Sequence, residues 1–422
     1  MQRQRVKPAQ NIDRMRVAIV DPLCDKREFQ RSPARRTLVQ ILLASEEFQI
    51  DYYSNQVISP AASSLESPVG SPTNGRFTSV SSFNPLWSQA LTFRKWDQLA
   101  WRATHRYPAL ERRAKKLGGK MLVEQTARKL SRSQRPYDAI IAINDVGLAA
   151  SDGVRTDCPI VYYSLEVYYQ DHPHIQWDRW RRNIKERERN QFQRISLLII
   201  QDEERARLLY DDMRQPFARD KYVQLPVTHP GKAIRKRSNY LRLHCPELRN
   251  RKILLQQNVG GARRSGDIAK MARENSSDDF VIVFNGAEFS DQPEHYVQHK
   301  RFLDYKDLDM LVSSADIGLI FYLDDNQNDG LISHASGQLS HFTMLGVPVI
   351  ASYSPSMKRL IDKYQCGIVV KSLSDIYTAA SQIARDYEKY CSGAIACFQA
   401  EFDIENYEDN VRQRLKALRA PT

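Results

Sequence analysis

The stretch SGQLSHFTMLGVPVIAS, residues 336–352, decides how the chain is read. Ser336 is placed to cap a helix, Leu339, Phe342 and Leu345 give it a buried stripe, and Gly346 is the natural stop. GVPVIAS (346–352) follows at once as a short, almost wholly apolar strand. A helix that feeds directly into a buried strand is the repeating unit of a parallel α/β sheet. Its N-terminus, at Ser336-Gly337-Gln338, points to the sheet's carboxyl edge and carries a partial positive charge suited to an anion.

The same alternation extends in both directions. Upstream, KILLQQNVGG (252–261) reads as a strand running into a glycine turn, with a helix at 265–275 and a strand, DFVIVFNG, at 279–286. YKDLDMLVSSA (305–315) is helical and DIGLIFY (316–322) a strand; MKRLIDKYQ (357–365) and GIVV (367–370) continue the pattern, and the chain from Ser374 is mostly helical. The first half opens with strands at 16–21 and 48–54 around a helix at 34–47. Strands at 137–145, 158–166, 197–201 and 222–227 follow, with helices at 177–194 and 202–213. Two such series imply two doubly wound parallel sheets. The expected organisation is a domain over 1–230, a polar linker over 231–250, a second domain over 251–385, and C-terminal helices over 386–422 that cross back to the first. Residues 55–85, rich in Ser, Pro, Gly and Asn, read as a long mobile surface loop.

Composition narrows the class. With 422 residues and 42% hydrophobic content, the chain can bury two cores. Its apolar runs are strand-length, well short of the ~20 residues that span a bilayer. The opening MQRQRVKPAQ has no apolar core behind it, so no secretory signal is expected. Six scattered cysteines without a CxxC pair fit reduced thiols in the cytoplasm rather than a zinc site or disulfide framework. The formal charge of +12 is concentrated: thirteen Lys or Arg face three Asp or Glu between Leu91 and Arg135. The basic segment, about 86–135, reads as helical with breaks near Pro108 and Gly118-Gly119. It also carries Trp87, Phe93, Trp96, Trp101 and Tyr107. Cations with interfacial aromatics suit an anionic membrane surface. A solvated helical face with its aromatics turned inward is the plainer reading. Nucleic acid is disfavoured because no binding motif accompanies the charge.

Chemistry in an open α/β sheet belongs at the carboxyl ends of strands. In the second half that points to Gly260, Gly261, Arg263 and Arg264, to Gly286, and to the first turn of the helix at Ser336. Glycines after a strand also make ordinary turns, and the arginines could face solvent. In the first half it points to Asp145, Glu166 and His172, with Glu166 preferred as the active-site carboxylate. Each carboxylate could equally be a structural acceptor for backbone N–H groups. Asp324-Asp325 lies in a polar loop, and a solvated loop explains it better than a metal site.

The whole stretch SGQLSHFTMLGVPVIASYSPSMKRLIDKYQCGIVV (336–370) resembles the signature of retaining GT-B glycosyltransferases of the group-1 type, roughly S-x-K-L-x-E-Y-x-x-x-G-x-P-V-I-A-S, then a helix, then C/N-G-x-x-V. YKDLDMLVSSADIGLIFY (305–322), PIVYYSLEVYYQDHP (159–173) and LLIIQDEERARLL (197–209) are similar to parts of bacterial members, and the likeness covers most of 137–415. The resemblance implies two Rossmann-like domains facing each other across a cleft, a nucleotide-sugar donor and no metal or other cofactor. It also implies transfer of a hexose with retention to a glycan, lipid-linked or small-molecule acceptor, as in polysaccharide biosynthesis. The implied setting is cytoplasmic, peripheral on the inner face of the membrane. The implied donor residues are Gly260, Gly261, Arg263, Arg264, Gly286, Phe302, Ser333, Ser336, Gly337, Gln338, Leu339 and His341. The sequence departs from the pattern at five of its positions. The paired glutamates become Ser333 and His341, the motif lysine becomes Gln338, and the phosphate-loop Arg and Lys align with Gly261 and Gly266. Imidazole could still hold a ribose, though as one donor and one acceptor rather than two acceptors. Two other readings keep the fold: a non-catalytic subunit that binds a partner or membrane, and a nucleotide-sugar epimerase or hydrolase.

Overall fold

A computed structural model describes residues 14–58, 76–81, 108–152, 154, 157–169, 175, 179–248, 250–257, 263–286, 295–299, 303, 305–323 and 330–419. His172, Gly260, Gly261, Phe302, Asp324-Asp325 and the aromatic-rich 86–107 lie outside them.

The first half runs β1 (Met15–Asp21), α1 (Lys26–Arg31), α2 (Pro33–Leu43), β2 (Phe48–Ser54), β3 (Arg76–Ser81), α3 (Pro108–Ser131), β4 (Ala139–Ile143), α4 (Asn144–Ala150), β5 (Ile160–Tyr163), α5 (Arg179–Phe192), β6 (Ile195–Ile200), α6 (Glu203–Asp212) and β7 (Tyr222–Gln224). Its seven strands are all parallel, in the order β3-β2-β1-β4-β5-β6-β7. The second half runs α7 (Tyr240–His244), β8 (Lys252–Gln256), α8 (Ser265–Glu274), β9 (Phe280–Asn285), β10 (Tyr296–His299), α9 (Tyr305–Ser313), β11 (Ile317–Ile320), α10 (Gly337–Met344), β12 (Val349–Ser352), α11 (Pro355–Tyr364) and β13 (Gly367–Val370). These six strands are parallel too, ordered β10-β9-β8-β11-β12-β13. Helices α12 (Ile376–Arg385), α13 (Tyr387–Glu401) and α14 (Glu408–Lys416) complete the chain. Helices cover both faces of each sheet, which is why the central strands read as continuous apolar runs. Ile140, Ile141 and Ala142 of β4, for example, serve alternate faces and all are fully buried.

Four features differ from the sequence reading. RFTSVS (76–81) is a strand, β3, inside the segment expected to be loop; as a polar edge strand it pairs with β2 and rests Phe77 on Tyr52. YVQH (296–299), too short to announce itself, is the opposite edge of the second sheet. Helix α3 begins at Pro108 and runs unbroken through Gly118-Gly119. At Gly119 a Cβ would lie 3.1 Å from the Trp180 ring, so this glycine permits close helix packing rather than a break. Part of the supposed linker is core: Tyr240, Leu241, Cys245 and Leu248 pack into the second domain.

From Gly119 onward, α3 docks through Leu122, Val123, Thr126 and Leu130 and leaves Lys120, Arg128 and Lys129 exposed. All six cysteines are free. No helix among the described residues is long and apolar enough to cross a membrane.

The two halves touch closely and are joined twice. The first crossing is the segment 227–229: Val227 N–H donates to the His334 carbonyl (2.8 Å), and Thr37 Oγ1 of α2 donates to the Thr228 carbonyl (2.9 Å). At the second, Phe402 is in the second core whereas Ile404, Val411 and Leu415 belong to the first. His334 is clamped beside both crossings, with Nδ1 3.6 Å from Asp202, the cap of α6, and Nε2 3.1 Å from Glu401 of α13. Burial opposes charge on this ring, but the bonds to Asp202 and Glu401 outweigh it and lift the pKa to about 9. The His334 bond, against the cost of burial and helped by Lys363 and Tyr364, holds Glu401 down at about 2. A histidine whose folded pKa stands above its unfolded value adds stability in full below pH 6.5 and loses it as pH rises through 9. Unfolding free energy is therefore expected to fall by up to about 3 kcal/mol over that window. In urea titrations of His334→Gln this pH dependence flattens; an unchanged slope would show that the clamp contributes nothing.

Candidate functional site

In both sheets the strand order reverses between the first and fourth strands, β1 and β4 in one, β8 and β11 in the other. Connections there leave in opposite directions, so a crevice opens outside the strand ends. Most of the described candidate residues lie at these two points.

At the first, β1 ends in Asp21, which is buried and accepts from Arg35 Nε (2.5 Å) and Tyr52 OH (3.0 Å). Arg35 also reaches Glu28 (3.0 Å), whose carboxyl is raised by burial against the pull of Arg35. Asn144, directly after β4, takes a left-handed backbone (φ 56°) that asparagine tolerates better than most residues. Its Oδ1 then accepts from the N–H groups of Leu165 (2.8 Å) and Glu166 (3.4 Å), pinning the loop after β5. Asp145 is buried and held 3.7 Å from Arg181; burial raises its pKa, and Arg181 only partly offsets this. Glu166 is exposed. Together Asp21, Glu28, Arg35, Asp145, Glu166 and Arg181 line a cavity of about 390 Å³ that also takes in Val227 and Ala335. Ala335 belongs to the other domain and immediately precedes the cap of α10.

At the second point, Ser336 caps α10 by accepting from the Leu339 N–H (3.1 Å). The N–H groups of Gly337 and Gln338 start the helix and lie outside its ladder. Gly337 lets the first domain approach: a Cβ there would sit 3.2 Å from Pro33 and 3.4 Å from Val227. Tyr322, just past β11, bonds Ser336 Oγ through its hydroxyl (2.7 Å), and the Arg263 guanidinium lies 4.1 Å above its ring. Gln256 holds the Arg263 carbonyl (2.7 Å). Arg264 turns away and pairs with Asp267 (3.2 Å). Gly286 ends β9 at φ 87°, its N–H on the His299 carbonyl, as a strand-end turn.

Two candidate assignments need correction. The Leu339 side chain is core and its N–H is taken by Ser336, so it has nothing to offer a ligand. His341 is fully buried: Gln257 Nε2 donates to Nδ1 (3.1 Å), Nε2 bonds Asp309 (2.7 Å), and the ring stacks on His229 (4.1 Å). With both nitrogens engaged, His341 packs the boundary between the halves instead of facing a ribose. Ser333 is likewise buried, 3.3 Å from His334. Sequence reasoning missed Tyr322, Arg35, Asp21, Asn144 and Arg181. The positions of Asp21 and Tyr322 at strand ends were a usable signal, but the arginines are joined to their partners only by the fold.

Residues 259–402 match the family model described as glucosyltransferase 3-like, C-terminal domain. Over nearly the whole chain, the structure resembles that of the Anabaena HepE protein in complex with UDP-glucose (TM-score 0.60, 12% identity, 96% of this chain and 100% of that one). It also resembles sucrose-phosphate synthase from Thermosynechococcus elongatus (0.61, 12%, 96% and 99%). A third likeness is to trehalose 6-phosphate synthase from Burkholderia multivorans (0.59, 14%, 96% and 99%). The whole chain has the two-domain GT-B fold, and its residues 259–402 resemble a glycosyltransferase C-terminal domain. No curated protein matches it in sequence. Identities this low speak for the fold alone.

In this GT-B chain the first cavity depends on Gly147 of α4. A Cβ there would lie 2.4 Å from the Val20 carbonyl oxygen, so alanine must push α4, and Asp145 with it, away from β1. Gly147→Ala is expected to cost about 3 kcal/mol in urea unfolding. A loss under about 0.5 kcal/mol would mean that α4 moves freely.

Proposed function

We propose that the protein transfers a sugar from a nucleotide-sugar to an acceptor hydroxyl seated in the cavity of Asp21, Asp145 and Glu166. The reading rests above all on one observation: that cavity reaches Ala335, one residue before the cap of α10. An acceptor held by carboxylates on one side therefore faces an anion-binding helix terminus on the other. The helix dipole favours a diphosphate there by ~0.3–1 kcal/mol, and Arg263 adds charge. Because HepE was solved with UDP-glucose, a UDP-hexose is the first donor to test. In the transfer, the acceptor oxygen bonds to the anomeric carbon as its bond to the diphosphate breaks. The proton passes to Glu166 or to the departing phosphate, which leaves as the nucleoside diphosphate. Glu166, at the mouth, is assigned to the acceptor hydroxyl. Asp145, fixed by Arg181, supplies negative charge beside the anomeric centre. Retention of configuration is supported by the motif resemblance and is checked by the anomeric signal of the first product.

Thermal-shift titration with UDP-, GDP-, dTDP- and ADP-sugars is expected to give stabilisation by one nucleotide class. Glu166→Gln is expected to lower kcat about 100-fold with KM little changed. If no nucleotide-sugar shifts the melting point, the donor reading falls. Release of free sugar without an acceptor would point to hydrolysis.

A glycan or lipid-linked acceptor at an anionic membrane surface is the finer reading, supported by the exposed Lys120, Arg128 and Lys129 of α3. Each basic residue near such a surface contributes about 1 kcal/mol, screened by salt. Co-sedimentation with phosphatidylserine vesicles at low salt, lost at high salt, is the expected result. Equal binding to neutral vesicles would overturn it.

A further inference from the structure

Resting on the donor reading above, we propose that Tyr322 is a positioning residue that aims Arg263 at the donor diphosphate beside the first turn of α10. The helix terminus alone supplies partial charge, and its first-turn side chains, Ser336, Gly337 and Gln338, bring no cation. Arg263 is a cation that the fold places beside this terminus, just ahead of α8. Two contacts fix it. Its guanidinium stacks 4.1 Å above the Tyr322 ring, and the Tyr322 hydroxyl is tied to Ser336, the residue that caps the helix (2.7 Å). The Tyr322 backbone is held in turn, its N–H donating to Ser352 Oγ (3.1 Å). One side chain thus sets the distance between a whole charge and a helix dipole.

Two further observations mark this as a place for a ligand. Arg263 Nη1 is buried and makes no hydrogen bond, an arrangement that normally costs stability unless something else completes it. Gln338, only 4% exposed on the first turn, leaves Oε1 without a partner. Its orientation is fixed, because Nε2 donates to the Gln257 carbonyl (2.5 Å) and only the amide nitrogen can do so. A buried cationic donor, carried by Tyr322, and a buried neutral acceptor on the first turn thus flank the start of α10. They suit a ligand that presents phosphate oxygens and a hydroxyl together, as a nucleoside diphosphate does.

Stacking on an aromatic face fixes the plane of a guanidinium, and removing it from a desolvated site is worth about tenfold in affinity. Calorimetry uses whichever of UDP, GDP, ADP and dTDP the unmodified protein binds, with the matching monophosphate as the second probe. Tyr322→Leu and Arg263→Ala are each expected to weaken the diphosphate about tenfold and the monophosphate much less. Tyr322→Phe, which keeps the ring, stays within about threefold. The decisive result is the pair: Tyr322→Leu with Arg263→Ala binds no worse than Arg263→Ala alone, because Tyr322 acts through Arg263. Additive losses, or equal losses for both nucleotides, overturn the proposal while leaving the donor reading intact. If the unmodified protein binds none of the four, both fall. Should Tyr322→Leu not fold, Arg263→Lys decides the matter: it keeps the charge without the stacking plane, and wild-type affinity for the diphosphate would overturn the proposal.

Discussion

The reversal of strand order at the centre of each sheet is the constraint from which the rest follows. Parallel strands need crossover connections, and these are right-handed. Once the order turns at β1/β4 and again at β8/β11, the chain leaves those strand ends in opposite directions and a gap opens. Nothing about particular side chains creates the gap. What the sequence contributes is its lining: carboxylates and arginines in one domain, a capped helix with an arginine on a tyrosine in the other.

The linings differ in how they hold charge. In the first domain, acids and bases are matched within the fold, Asp21 with Arg35 and Asp145 with Arg181, so the cavity is orderly before any ligand arrives. In the second, Arg263 rests on an aromatic face, and no carboxylate among the described residues cancels its charge. A matched polar cavity can orient hydroxyls, whereas an uncancelled cation attracts anions. That asymmetry is physical grounds for placing the acceptor in one half and the donor in the other.

Much of this was legible in the sequence. The helix beginning at Ser336, its buried stripe and the strand after it follow from local periodicity and capping, and so does the alternation that gives two sheets. Short polar edge strands such as β3 and β10 were not legible, because their stability comes from a neighbour rather than from their own residues. The continuity of α3 was hidden for a related reason: Gly119 reads as a breaker until Trp180 is seen against it. At the site, residues that act at strand ends could be found, but partners brought from afar could not. His341 shows the limit. Its place in a motif suggested a ligand, while its neighbours Gln257, Asp309 and His229, from three other parts of the chain, make it a packing element.

The two crossings between the halves lie side by side. Lys232, just after the first, pairs with Asp403 (3.4 Å) and with Glu405 at the second. Two strands of chain fastened next to each other behave as a strap hinge does: they permit rotation about the line that joins them and resist twist and slide. Such a hinge would give the two domains one easy degree of freedom, held back by the His334 clamp and the His229–His341 stack. Ala335, next to the Val227–His334 bond, lies close to that line, so a swing would part the outer ends of the two linings more than the gap at Ala335.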